Sequence, residues 1–344
     1  MRIMENDPHD GLLAIDTHVD IPWPEGPSPF QDGPRCVDLP KLRQGRVGAV
    51  CFAAYIPQGS RDDAGHLAAN ARAWAMLEAI TAMAPADGSG GQLATSAAGV
   101  AAAFAAGRPG IIPVIENGYA IGRNLEHLDA FAGMGIRYMT LTHNGHNEIA
   151  DAAIALPTLG DKAEAYGGLS DFGQDVVARM NELGVLVDVS HASKKSMMQA
   201  ASRSRTPVVA THSCMKTLCD HKRNLDDEQL EVLAATGGLA QVTAVSNFLR
   251  PKARAMDLTV EDIVDHVDYA VKRMGIDHVG IGTDFDGGGG VRGYMNTAQT
   301  PSLTAALARR GYGSEEIAKI WGKNFLRLMR RAEEVAAERK AAAD

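Results

Sequence analysis

The chain has 344 residues, 45% of them hydrophobic and 22% charged. This is a globular composition, long for one ordinary core but normal for a single α/β barrel with insertions. A formal charge of −8 and a pI near 5.8 argue against nucleic acid or an anionic membrane as partner, since both select basic patches.

No apolar stretch reaches the roughly 20 residues of a membrane helix. The first residues, "MRIMENDPHDGLL", are polar and charged where a secretory signal needs an apolar region. Four cysteines, Cys36, Cys51, Cys214 and Cys219, form no CxxC pair. Small buried or loop thiols in a reducing cytoplasm are therefore expected, and a thiol ligand from Cys214 or Cys219 is the minor alternative.

In chain order, apolar runs rich in Val, Ile and Leu predict strands at 12–21, 47–56, 110–118, 136–144, 185–193, 207–214, 238–246 and 278–287. Runs this apolar suit a parallel sheet covered on both faces. Two Ala-rich helices, near 64–84 and 95–106, form an excursion after the second strand. A helix over 171–183 places Val176, Val177, Met180 and Leu183 on one stripe, with Ser170 as N-cap and Gly184 as stop. Another runs from the cap Thr259 to Gly275, with Glu261 and Asp262 in its first turn. Residues 314–340 read as one or two closing helices. The whole chain, 1–344, is expected to be one (β/α)8 barrel domain. Residues 145–170 are long and irregular for a βα loop, the kind of segment where function concentrates. The run "DGGGGVRG" lacks the spacing of a phosphate-binding fingerprint and is given no nucleotide role.

The active site of such a barrel lies at the C-terminal ends of its strands. His18 and Asp20 end the first predicted strand, two residues apart and so on one side. Glu116 ends the third, His143 the fourth, His191 the fifth, His212 the sixth and Asp284 the eighth. Any one of these is more often a hydrogen-bonded core residue or a helix cap than a ligand. Seven at the strand ends of one barrel are too many for that explanation. His9, His66, His127, His221, His266 and His278 fall elsewhere and carry no functional assignment, while His146 lies at the rim. Imidazole and carboxylate together suit Zn²⁺ or a similar divalent ion. The ligands exceed what one four-coordinate ion needs, so a two-metal centre with a bridging carboxylate is expected, with a further carboxylate shuttling a proton.

In order along the chain stand "DTHVD", "IENG", "RYMTLTHN", "GVLVDVSHAS", "PVVATHS", "RNLDD" and "GIGTDFDG". With this ordered set the chain resembles the renal (membrane) dipeptidase family of zinc metallopeptidases, within the amidohydrolase-type barrels; His18-Val-Asp20 in place of HxH favours that branch. The resemblance implies two Zn²⁺ per chain, one on His18 and Asp20, the other on His191 and His212, bridged by Glu116. It implies Asp284 as the proton shuttle; Asp286, two residues on and able to face the same side, is the nearby alternative by position. It further implies His143 as donor to the scissile carbonyl oxygen and Arg223 as partner of the dipeptide's free carboxylate. A cytoplasmic, microbial relative is expected, as a homodimer, hydrolysing dipeptides, with L-Xaa-D-Xaa ones as a candidate class among them. Hydrolysis of N-acyl amino acids or cyclic amides is the alternative. The loops after strands 4 and 8 depart from the animal pattern, so they leave the side-chain preference open.

Overall fold

A computed structural model of the chain describes residues 7–343, with residues 22, 23 and 25 excepted. The first six residues of the N-terminal stretch and part of the segment "IPWPE" that follows Asp20 lie outside that description.

Eight parallel strands alternate with helices: β1 (Ile15–Asp20), β2 (Ala49–Tyr55), β3 (Gly110–Glu116), β4 (Tyr138–Thr140), β5 (Leu186–Asp188), β6 (Val209–Ser213), β7 (Leu239–Val242) and β8 (Val279–Ile281). Each pairs with the next in sequence order. The barrel closes where Asp284 N donates to His18 O at 2.9 Å and Asp20 N to Phe285 O at 3.0 Å. A two-residue strand, Gln92–Leu93, pairs beside the start of β3. The excursion helices are Asp63–Ala82 and Ala97–Ala105.

Strand alternation sorts the core. In β2, Ala49, Cys51 and Ala53 join one apolar cluster, and Val50, Phe52 and Ala54 the other. The first cluster also holds Ile15, Ile112, Val114, Tyr138, Leu186, Val209 and Leu239, and meets Phe325, Leu328 and Met329 of the C-terminal helix Asn324–Ala343. That is the barrel interior with its lower plug. Continuing the same period of two upward from Val114 brings Glu116 into the interior. In β1 and β6 the register shifts, between Asp16 and Val19 and between Ala210 and Ser213. An irregularity of this kind re-aims the side chains beyond it. It turns His18, Asp20 and His212 inward although Ile15 and Val209 already face that way.

Helix boundaries follow local chemistry. Ser170 Oγ accepts from Gly173 N at 2.9 Å, and Gly184 ends that helix at φ 68°. At Thr259 the stabilising partner is Asp262, whose carboxylate accepts the Thr259 N–H at 2.8 Å. The loop after β4 is ordered by inward acids: Asp151 accepts from Ala165, Tyr166 and Gly168 N–H groups, and Glu148 accepts from Arg61 and Arg123.

Candidate metal centre

His18, Asp20, Glu116 and His212 lie on strands, as expected. His143, His191 and Asp284 do not: β4, β5 and β8 are shorter than predicted, and each of these residues sits three positions beyond its strand. Both His191 and Asp284 have left-handed backbones, at φ 65° and 62°, a strained state that non-glycine residues hold only where surrounding structure enforces it.

All seven nevertheless meet. Glu116 is the hub, with Oε1 3.1 Å from His191 Nε2, 3.5 Å from His212 Nε2 and 3.9 Å from His143 Nε2, and Oε2 3.7 Å from His18 Nε2. Asp20 Oδ1 lies 3.5 Å from His18 Nε2. Ligand atoms converge in three overlapping sets: His18 with Glu116 and His212, Glu116 with His143 and His191, and His18 with Asp20 and Asp284.

Hydrogen bonding on the far side of each ring fixes what Nε2 offers. Tyr138 Oη donates its proton to Thr17 O at 2.9 Å, so at 2.7 Å it accepts from His18 Nδ1–H. Thr211 Oγ donates to Asp188 Oδ2 at 2.7 Å, so it accepts from His212 Nδ1–H at 3.0 Å. Asn144 Oδ1 accepts from His191 Nδ1–H at 3.2 Å. Each neutral ring therefore turns an Nε2 lone pair toward carboxylate oxygens. Lone pairs facing anions repel unless a positive charge lies between them. His18 Nε2, His212 Nε2 and Asp20 Oδ1 are buried with no hydrogen-bond partner among the described residues. The donor set, imidazole nitrogens around a shared carboxylate with their other nitrogens anchored, fits a divalent metal such as zinc.

The pKa shifts describe the same polarity. Burial lowers His18, but the facing carboxylates of Asp20 and Glu116 outweigh it and raise the group well above the usual value, so this point draws positive charge, a proton or an ion. Burial, then Arg223 and His143, hold His191 well down; burial, then His18 and Arg223, do the same for His212. Burial and then the neighbouring Glu116 push Asp20 up to about 6. Burial, with Asp20 and Glu116 adding to it, raises Asp284 well above the carboxylate range.

Beside the ligands opens a cavity of about 500 Å³, reached by Tyr55, His143, Asn144, Asn247, Phe248 and Asp284, within the roughly 300–1,000 Å³ of small-molecule sites. Arg223 is 3% exposed, donates from Nη2 to His212 O at 3.2 Å and lies over the Phe248 ring at 5.5 Å. Its Nε has no partner among the described residues, and burial brings its pKa down to about 10.

Asp286 accepts Cys36 N–H at 2.7 Å and Val37 N–H at 3.1 Å, which commits its carboxylate to the loop after β1. His146 is buried, accepting from Ala152 N and contacting Lys162 O, and it holds the loop after β4. Among the six unassigned histidines, His9 and His266 are buried structural residues. Cys214 and Cys219 donate to Thr243 O and Asn247 O, and neither is among the converging ligand atoms. Sequence reasoning missed Tyr138, Asp188, Thr211 and Asn144, which orient the histidines. A carboxylate inside so apolar a run as "VLVDVSH" was the available signal for Asp188.

A parallel (β/α)8 barrel with histidines and carboxylates gathered at its upper rim defines a metal-dependent hydrolase of the amidohydrolase type. The model of the membrane dipeptidase family (peptidase family M19) matches residues 7–343, and the chain belongs to that family. It is a metallopeptidase acting on peptide bonds. It is 32% identical over 342 residues to dipeptidase tcpJ of Claviceps purpurea, covering 98% of this chain and 79% of that protein. The crystal structure of the probable dipeptidase PvdM of Pseudomonas aeruginosa superimposes with a TM-score of 0.91 at 29% identity, over 96% of this chain and 98% of that one. A metallopeptidase of Rhodobacter sphaeroides, liganded with a phosphinate mimic of the dipeptide L-Ala-D-Ala, gives 0.83 at 26% identity over 93% and 99%. No helix among the described residues is long and apolar enough to cross a membrane.

Proposed function

We propose that the protein is a dinuclear zinc dipeptidase that hydrolyses free dipeptides, L-Xaa-D-Xaa substrates among them. The observation that carries this reading is the convergence of three Nε2 lone pairs on Glu116. His18 and Asp20 would hold one ion, His191 and His212 the other, and Glu116 would bridge them. Bound there, the ions would lower the pKa of a water and polarise the scissile carbonyl.

The chain's own groups do the rest. Arg223 offers its unpartnered buried guanidinium edge to the substrate's terminal carboxylate. His143, held down to about 4 by burial and Arg223, stays neutral and gives an N–H to the oxygen that gains negative charge. Asp284, whose side chain is free of the loop contacts that occupy Asp286, takes the proton of the attacking water. As the carbon–oxygen bond forms and the carbon–nitrogen bond breaks, it returns that proton to the departing amine. The phosphinate-dipeptide complex of the Rhodobacter relative supports a D-residue at the second position. The four unpaired thiols agree with a cytoplasmic setting, and a homodimer completes the proposal.

The test is a rate comparison on L,L and L,D dipeptides with added Zn²⁺, each with a free and an amidated C-terminus. Free dipeptides are expected to turn over and amidated ones to fail. Equal rates on both would remove the Arg223 role, and no turnover of any dipeptide would remove the substrate class.

A further inference from the structure

The three imidazoles are held by unequal partners. Tyr138 and Thr211, which accept from His18 and His212, are wholly buried, and each hydroxyl is anchored in turn, on Thr17 O and on Asp188. His191 has only Asn144, at the longest of the three distances, 3.2 Å. Asn144 is half-buried on the cavity wall, with no further side-chain hydrogen bond among the described residues. His191 also lies three residues beyond β5 in a left-handed conformation, so no strand ladder sets its direction.

We infer that Asn144 is the positioning residue for His191, and that the ion His191 holds is the more weakly bound of the two. An amide oxygen can only accept, so it keeps the proton on Nδ1 and leaves Nε2 bare. The competing tautomer carries the proton on Nε2, which at 3.1 Å would donate to Glu116 Oε1. That hydrogen bond would fill the place of the ion with a proton. Asn144 acts against it. Its position on the cavity wall leaves this support, unlike Tyr138 and Thr211, within reach of whatever fills the cavity. The inference rests on the two-ion reading above.

Zinc titration of metal-free protein against a chelating indicator tests it, on the wild type, Asn144→Leu and Asn144→Asp. The wild type is expected to take two ions with unequal constants. Asn144→Leu should weaken the looser ion by about 10–100-fold, the usual effect of losing an outer-shell partner, and leave the tighter one unchanged. Asn144→Asp should restore the looser ion, because a carboxylate accepts the same N–H. Unchanged constants in Asn144→Leu, equal weakening of both ions, or an aspartate variant as weak as the leucine one would each overturn the assignment. One ion or none in the wild type would instead overturn the two-ion reading, and this inference with it.

Discussion

A methyl group on Gly287 would lie 2.2 Å from Asp284 Oδ1 and 2.6 Å from Asp20 Oδ2, closer than any real contact. The glycine is there because two carboxylates of the site need the space. Gly287→Ala should displace one of them and cut kcat at least about tenfold while the fold survives; a variant with wild-type kcat and metal content would show that this space is not needed. Asp284→Asn keeps its shape and removes the proposed proton carrier. Both ions should remain and kcat should fall by about 10²–10⁴-fold, the usual contribution of a general acid–base group. Loss of an ion in that variant would make Asp284 a ligand first. For Arg223→Met, metal content should hold while KM rises, since a hydrogen bond to a charged group is worth about 1.5–3 kcal/mol. A fall in kcat alone would contradict the carboxylate-binding role. Asp284 was legible in the sequence because it is a polar group at the end of an apolar run; Arg223, in the polar stretch "HKRNLDD", was assigned only through the family resemblance, and Gly287 carried no assignment. Asp188 was not legible: it accepts from Thr140 and Thr211 hydroxyls and from two backbone N–H groups, and only the register of three strands brings those donors to it.

Among the elements, all eight barrel strands were expected but the two-residue strand Gln92–Leu93 was not, and four, β4, β5, β7 and β8, end at least four residues before the predicted runs do. Leu141, Val189 and Phe285 continue past the ladder because the turns above are also buried, so hydrophobicity does not mark where pairing stops. The two register shifts that aim His18 and His212 inward depend on neighbouring strands, and no local residue pattern announces them. The helix Val260–Met274 carries another such contact. Its His266 accepts from Met215 N at 3.0 Å on Nδ1 and gives Nε2–H to Leu249 O at 3.0 Å, clamping the turns after β6 and β7. Burial, opposed by the Leu249 hydrogen bond, lowers its pKa below 6.5. The unfolded chain then binds the proton at higher pH than the folded one. The clamp's contribution is therefore full above about pH 6.5 and declines as pH falls through 6.5 toward the lowered folded value. Urea unfolding of wild type and His266→Gln should show a stability difference that shrinks between pH 7.5 and pH 5. A difference equal at both would mean that the ring's protonation does not matter.

At the scale of the molecule, the barrel concentrates buried Glu116 and half-buried Asp20 and Asp284 in one place, with three imidazole lone pairs facing them. Metal should therefore stabilise the whole fold. A ligand present at 100 times its Kd adds about 2.7 kcal/mol, so chelation should lower Tm by several degrees and Zn²⁺ should restore it. The fold class and the seven polar residues that gather at the rim were legible because eight apolar runs recur with polar residues at their ends. The spacing of those residues was not, since it depends on distances across the barrel. The most direct measurement is the zinc content of purified protein after mild dialysis, by elemental analysis against protein concentration. Two ions per chain are expected, falling in variants of His18, His191 or His212. A stoichiometry of one or below in fully active protein would contradict the two-ion centre.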